Sequence, residues 1–154
     1  IRICLVGSEM CIRDRSMRLE KGWGVWTMEY RPDFNAVESG MDVFINWKKD
    51  FVGKEATLKA LNEGVSQKLV TMVIDTNGID VAHDEAILKD GVPVGYVSSG
   101  GYAHHVGKSM AMGYVAAEFA AAGTTLQVEI LGNFYDAEVL AGPIYDGNGV
   151  NMRS

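Results

Sequence analysis

Between residues 67 and 140 the chain is cut by tight-turn dipeptides into short runs of strand-forming residues, and this punctuation limits the fold more than any other feature. Asp90-Gly91 separates residues 86–88 from residues 92–97. An Asp-Gly pair tolerates the positive φ angles of a two-residue hairpin, so these runs are expected to pair antiparallel. Leu126, Val128 and Ile130 alternate with polar residues, and Gly132-Asn133 separates them from a second alternating run with Tyr135, Ala137 and Val139. Residues 69–74 are rich in strand formers, and residues 109–115 set Met110 and Met112 against Ala111 and Gly113. Side chains two apart share a strand face, so Leu126, Val128 and Ile130 are expected to point into a common core. Several short strands joined by turns predict a small antiparallel β-barrel or sandwich over residues 66–145, with a helical turn in the Ala-rich residues 116–122.

The first part of the chain has a different grammar. Residues 16–29 mix Leu19, Trp23, Val25, Trp26 and Met28 with charges at neither the helical nor the strand period, which predicts an extended stretch entering a glycine-broken turn. Asn35 and Glu38 stand at capping-box spacing, predicting a short helix through Ser39 that Gly40 ends. Residues 43–47 read as a strand, and residues 54–63 as a helix with Leu58 and Leu61 on one face and Gly64 as its stop. The fold class expected is therefore an α+β fragment followed by a small antiparallel β-barrel.

A formal net charge of −6 with no basic cluster argues against a nucleic-acid surface, whose binding depends on many cations neutralising phosphates. No apolar run reaches the roughly 18 residues that span a bilayer, so a cytoplasmic protein without a membrane partner is expected. Cys4 and Cys11 have no partner cluster and do not define a metal or disulfide site. A back-translation of residues 10–14 resembles a transposon-end library adapter. Residues 1–15 are accordingly expected to be adapter-derived, and the chain to be a piece of a larger protein. Deleting residues 1–15 should then change the unfolding free energy by no more than about 0.5 kcal/mol in reversible denaturation, and a loss above about 2 kcal/mol would contradict that origin.

Few residues carry chemistry by type and spacing alone. His83, Asp84 and Glu85 are adjacent, so they cannot converge on a cation without an unusual loop, and a solvated connection is the expectation. His104 and His105 follow a glycine-rich run and read as a loop contact to a partner domain ahead of a catalytic pair. Gly107-Lys108-Ser109 matches the end of a phosphate loop, but Tyr102 occupies the position of the required upstream glycine. A strand–Gly-x-Gly-x-x-Gly–helix turn for a dinucleotide is also missing from the sequence. Ser98 and Ser99 lack a nucleophile-elbow pattern and read as surface or turn hydrogen-bonding residues. Trp23, Trp26 and Trp47 read as core ahead of ligand-stacking platforms. Glu20, close to two of these rings, can accept two hydrogen bonds from an aminopyrimidine edge; a surface or salt-bridged glutamate is the other reading.

An ordered series of short motifs bears on that choice. Met17-Arg18-Leu19-Glu20-Lys21-Gly22, Val37-Glu38-Ser39-Gly40-Met41, Asp50-Phe51-Val52-Gly53-Lys54-Glu55-Ala56 and Gly95-Tyr96-Val97-Ser98-Ser99-Gly100-Gly101-Tyr102 occur in that sequence order. The series resembles the aminomethyltransferase family, which includes the T-protein of glycine cleavage and the C-terminal regions of sarcosine and dimethylglycine dehydrogenases, the latter branch being the more similar. The resemblance implies that residues 16–63 are the end of a folate-binding domain and residues 66–150 a C-terminal barrel. It implies tetrahydrofolate as ligand, with Glu20 as its pterin contact, and the missing N-terminal domains of the same polypeptide as partner. FAD and the amine-oxidising site would lie in those upstream domains. The family's aspartate associated with one-carbon transfer also lies upstream, so the chain alone is not expected to oxidise an amine or transfer a one-carbon unit. No catalytic or metal-ligating residue is assigned within the chain. A stand-alone glycine-cleavage aminomethyltransferase and a non-catalytic folate-binding or structural module are the alternatives.

Overall fold

The computed structural model describes residues 2–153, with side chains described from Ile12 onward except at Met152. The side chains of Cys4 and Cys11 thus lie outside the description. Six strands follow two helices: β1 (Gln67–Ile74), β2 (Ala86–Lys89), β3 (Val92–Ala103), β4 (Lys108–Ala116), β5 (Thr125–Ile130) and β6 (Asn133–Val139). All pair antiparallel in the order β1-β4-β3-β2-β5-β6, and β1 closes on β6 from Met72↔Val139 to Ile74↔Ala137. The result is a closed barrel, as the turn punctuation predicts.

Asp90 and Gly91 carry φ of 51° and 79°, the left-handed pair that a type I′ hairpin requires. In the β5–β6 hairpin the corresponding residues are Leu131 and Gly132, at 51° and 78°, one position earlier than the sequence expectation. Asn133 instead begins β6 and pairs with Ile130. Leu126, Val128 and Ile130 are buried inside the barrel with Met72, Ile87, Val97 and Val139. Residues 117–119 form the expected helical turn, a short 3-10 segment.

Helix α1 (Arg2–Lys21) replaces the extended stretch predicted for residues 16–29 over its first six positions. The helical period is obscured because the face that packs is partly polar: Ser16, Leu19 and Glu20 are its buried residues among those described. Gly22, at φ 64°, ends the helix with Trp23 N–H donating to Arg18 O at 2.9 Å and Gly22 N–H to Leu19 O at 3.0 Å, a Schellman closure. Leu19 packs outside the barrel against Met110 and Met112, so the β4 alternation serves two layers, Ala111 and Val115 facing inward.

Helix α2 spans Lys54–Glu63 as predicted, and Gly64 N–H donates to Ala60 O at 3.0 Å where it stops. None of its residues is buried. The Asn35 capping box forms, with Asn35 Oδ1 accepting from Glu38 N at 3.0 Å and Glu38 Oε2 accepting from Asn35 N at 2.8 Å, but it caps a single turn and not a helix. Residues 43–47 are not a strand. Asp42–Phe44 form a 3-10 turn with Val43 and Phe44 both 76% exposed, because no neighbouring strand offers the hydrogen bonds that an extended run needs. A four-residue helix α3 (Val150–Arg153) ends the described chain.

Candidate ligand cavity at Glu20

The end of α1 is held between two other parts of the chain. Ser16 and Glu20 lie one helical turn apart and both face the turn connecting β3 to β4. Ser16 Oγ accepts from the His104 backbone N–H at 2.8 Å, and Glu20 Oε1 accepts from the N–H groups of His105 at 2.8 Å and Val106 at 3.4 Å. On the other side, Tyr145 N–H donates to Glu20 O at 3.4 Å. Lys21 Nζ donates to the Asp146 carbonyl and stands 3.5 Å from Asp146 Oδ2.

Glu20 is therefore neither a surface residue nor an ion-paired one among the described residues; it is 3% exposed. Its Oε1 is engaged by backbone, and Oε2 has no hydrogen-bond partner among the described residues. A cavity of about 520 Å³ opens beside it, lined by Ile12, Arg13, Ser16, Met17, Glu20, His104 and His105. The histidine pair thus contacts α1 of its own chain through backbone N–H groups. The rings divide: His105 lies against Tyr145 with centroids 3.9 Å apart, whereas His104 meets Tyr102 edge-on at 5.0 Å. Such a site offers one carboxylate acceptor, a hydroxyl and aromatic surface, which suits the protic edge of a planar heterocycle.

A second polar centre escaped sequence reasoning. Glu29 is fully buried, with Oε2 accepting from Val25 N–H at 2.9 Å and lying 3.6 Å from Arg18 Nη1. Its Oε1 accepts from Ser98 Oγ at 2.6 Å and from Ser99 Oγ. Successive strand residues normally point to opposite faces. The register between β3 and β4 shifts between Val97, opposite Gly113, and Ser99, opposite Met112, so Ser98 is an extra residue and both hydroxyls reach one carboxylate. This corrects the surface or turn reading of the two serines: both are buried. The close strand approach beside the bulge needs glycine, since a Cβ at Gly113 would stand 2.4 Å from Tyr96 O.

Burial pushes the Arg18 guanidinium below its ordinary pKa, and the Glu29 carboxylate opposes that shift. Tyr114 donates to Glu29 O at 2.9 Å and stacks on Phe34 with centroids 3.7 Å apart. Burial pushes its hydroxyl up to about 12, so it keeps its donor proton at neutral pH. These contacts anchor residues 23–39 to the barrel.

Trp23 and Trp26 are not core: they are 64% and 80% exposed, and Trp47 is half-buried. His83 Nδ1 lies 2.9 Å from Asp84 Oδ2, while Glu85 Oε1 accepts from Ala82 N. Among the described residues no group of three His, Cys, Asp or Glu side chains is placed to hold a metal. No described helix is long and apolar enough to cross a membrane.

The closed barrel is a recurring domain. Residues 67–146 match the glycine cleavage T-protein C-terminal barrel domain, and the chain belongs to that family. Mitochondrial dimethylglycine dehydrogenase of Mus musculus is 33% identical over 151 residues, covering 93% of this chain and 17% of that protein. The aminomethyltransferase of Desulfitobacterium hafniense is 31% identical over 135 residues, covering 87% of this chain and 37% of that protein. Among solved structures, glycine cleavage system aminomethyltransferase T from Bartonella henselae aligns with a TM-score of 0.77 and 25% identity, over 86% of this chain and 38% of that one. The chain thus spans about a sixth to somewhat over a third of the length of these relatives, in which the matching part is a C-terminal region.

Proposed function

We propose that the chain is the C-terminal, folate-binding part of an FAD-dependent sarcosine or dimethylglycine dehydrogenase, with Glu20 gripping the pterin of tetrahydrofolate. The observation that carries this reading is the division of labour within one carboxylate. Glu20 Oε1 is held by two backbone N–H groups, which fixes the side chain of a residue that lines the cavity, and Oε2 has no hydrogen-bond partner among the described residues. A fixed carboxylate acceptor is what an aminopyrimidine edge with several N–H donors requires. The residues present fit that ligand. Ser16, whose oxygen already accepts from His104, still has its own O–H to donate.

Tetrahydrofolate, when bound, supplies the acceptor for the one-carbon unit released from an N-methyl amine. In this chain Ser16, Glu20, His104 and His105 would bind and orient it. Ile12 and Arg13 are left out of that set, because residues 1–15 are read as adapter-derived. FAD and the amine site belong to the upstream domains of the same polypeptide. The dehydrogenase branch is chosen over a stand-alone aminomethyltransferase on the similarity of residues 17–22 and 101–109 to that branch. The coding sequence upstream distinguishes them, a Gly-rich flavin-binding start marking the dehydrogenase. A module without the upstream aspartate would instead be non-catalytic.

Glu20→Gln in the full-length protein is the direct test. Glutamine keeps an acceptor for His105 and Val106, so the fold should hold, but one acceptor edge becomes a donor amide. Tetrahydrofolate affinity measured by calorimetry should fall by about 1.5 to 3 kcal/mol, roughly 10- to 150-fold. Amine-dependent flavin reduction at the distant site should change little. Unchanged folate affinity would remove Glu20 from the site.

A further inference from the structure

We propose that His105, backed by Tyr145, is the wall on which the planar ring gripped by Glu20 is stacked; this rests on the folate reading above and adds a positioning residue to it. A carboxylate oxygen that binds a heterocycle through its edge fixes hydrogen bonding in the ring plane and leaves both ring faces uncovered. In a cavity open on one side, orientation then depends on an aromatic surface held at a set place beside that carboxylate.

His105 meets that need through two independent restraints. Its backbone N–H donates to Glu20 Oε1 at 2.8 Å, which places its Cα by reference to the carboxylate itself. Its ring rests on Tyr145, with centroids 3.9 Å apart and planes tilted by 58°. Tyr145 is in turn tied to the same helix end, donating its N–H to Glu20 O at 3.4 Å, and its hydroxyl accepts from Asn151 Nδ2 at 3.2 Å. Carboxylate, imidazole and supporting phenol are thus all referenced to one residue of α1, so their spacing is preserved if the loop moves as a unit. His104, although it lines the same cavity, has its ring turned edge-on to Tyr102 and lacks this support. The geometry therefore selects His105 over its neighbour, and it selects a ligand with a flat, protic heteroaromatic head.

The test compares His105→Ala, His105→Phe and Glu20→Gln in the full-length protein, with tetrahydrofolate and p-aminobenzoyl-glutamate as calorimetric probes. The second probe retains the tail of folate and lacks the pterin. H105A should weaken tetrahydrofolate about 3- to 10-fold, H105F should stay within about twofold of wild type, and neither should alter p-aminobenzoyl-glutamate binding. Weakening of both probes alike by H105A, equal losses in H105A and H105F, or losses that follow a lowered melting temperature in both variants would overturn the stacking role. If E20Q weakens tetrahydrofolate while H105A does not, the wall fails and the folate reading stands. If E20Q leaves tetrahydrofolate affinity unchanged, the folate reading fails, and the stacking role falls with it.

Discussion

Val128→Asp is expected to unfold the barrel. Val128 has no exposed surface, sits mid-strand on β5, and is flanked by Ile87 on β2 and Tyr135 on β6. A carboxylate at that position would be surrounded by Leu126, Ile130 and the other inward apolar residues, with no donor to pair with. Burying an unpartnered polar or charged group costs several kcal/mol, against a total domain stability of about 5 to 15 kcal/mol. Urea denaturation followed by circular dichroism should show V128D largely unfolded without denaturant, or with a midpoint far below wild type. Val128→Ala, which removes volume but introduces no charge, should retain a cooperative transition. A V128D midpoint equal to wild type would mean that the side chain escapes the interior, contrary to the register of β5.

Glu29→Ala should be nearly as damaging, for a different reason. The substitution leaves Arg18, whose side chain is 13% exposed, without its counter-ion, and removes the common acceptor of Ser98, Ser99 and the Val25 N–H. Breaking a buried pair by deleting one partner typically costs about 3 to 5 kcal/mol, because the other charge remains desolvated. The double variant Arg18→Met with Glu29→Ala removes both charges and should recover part of that loss, so a double-mutant cycle with the two single variants reports the coupling. Additive effects of the two single changes would show that Arg18 and Glu29 act independently. The loss should also loosen residues 23–39, which the Tyr114 bond to Glu29 O helps to fix on the barrel; faster proteolysis within that segment is the accompanying readout.

How much of this architecture could be read from the sequence follows from the range of the interactions involved. Hairpin turns, strand alternation and the ends of α2 are set by neighbours within a few residues, and these features emerge with the inward face of β5 assigned correctly and the β5–β6 turn displaced by one residue. The helix at residues 16–21 was missed because its packing face contains Ser16 and Glu20, whose burial is compensated by N–H groups of His104, His105 and Val106 more than 80 residues away. Glu29 was missed for the same reason. Its hydroxyl donors lie 69 and 70 residues along the chain and reach it only because a bulge turns both serines to one side. The Arg18-Leu19-Glu20 motif draws attention to Glu20, whereas the backbone grip on one of its oxygens has no local signal. For Trp23 and Trp26, size suggested burial, but no neighbouring element covers them in this chain.

Closure of the sheet also decides how such a domain can adhere to other proteins or to itself. With β1 bonded to β6, the barrel presents no open strand edge, so it offers no template for templated growth into fibrils or for capture of an extended peptide by strand addition. Stickiness is displaced to side chains instead. Trp26, Val43, Phe44 and Val52 are each at least 76% exposed and fall within residues 26–52, apart from the barrel strands. Colloidal behaviour of the isolated chain should therefore respond to polar substitution at those four positions, while its strands remain inert toward one another from molecule to molecule.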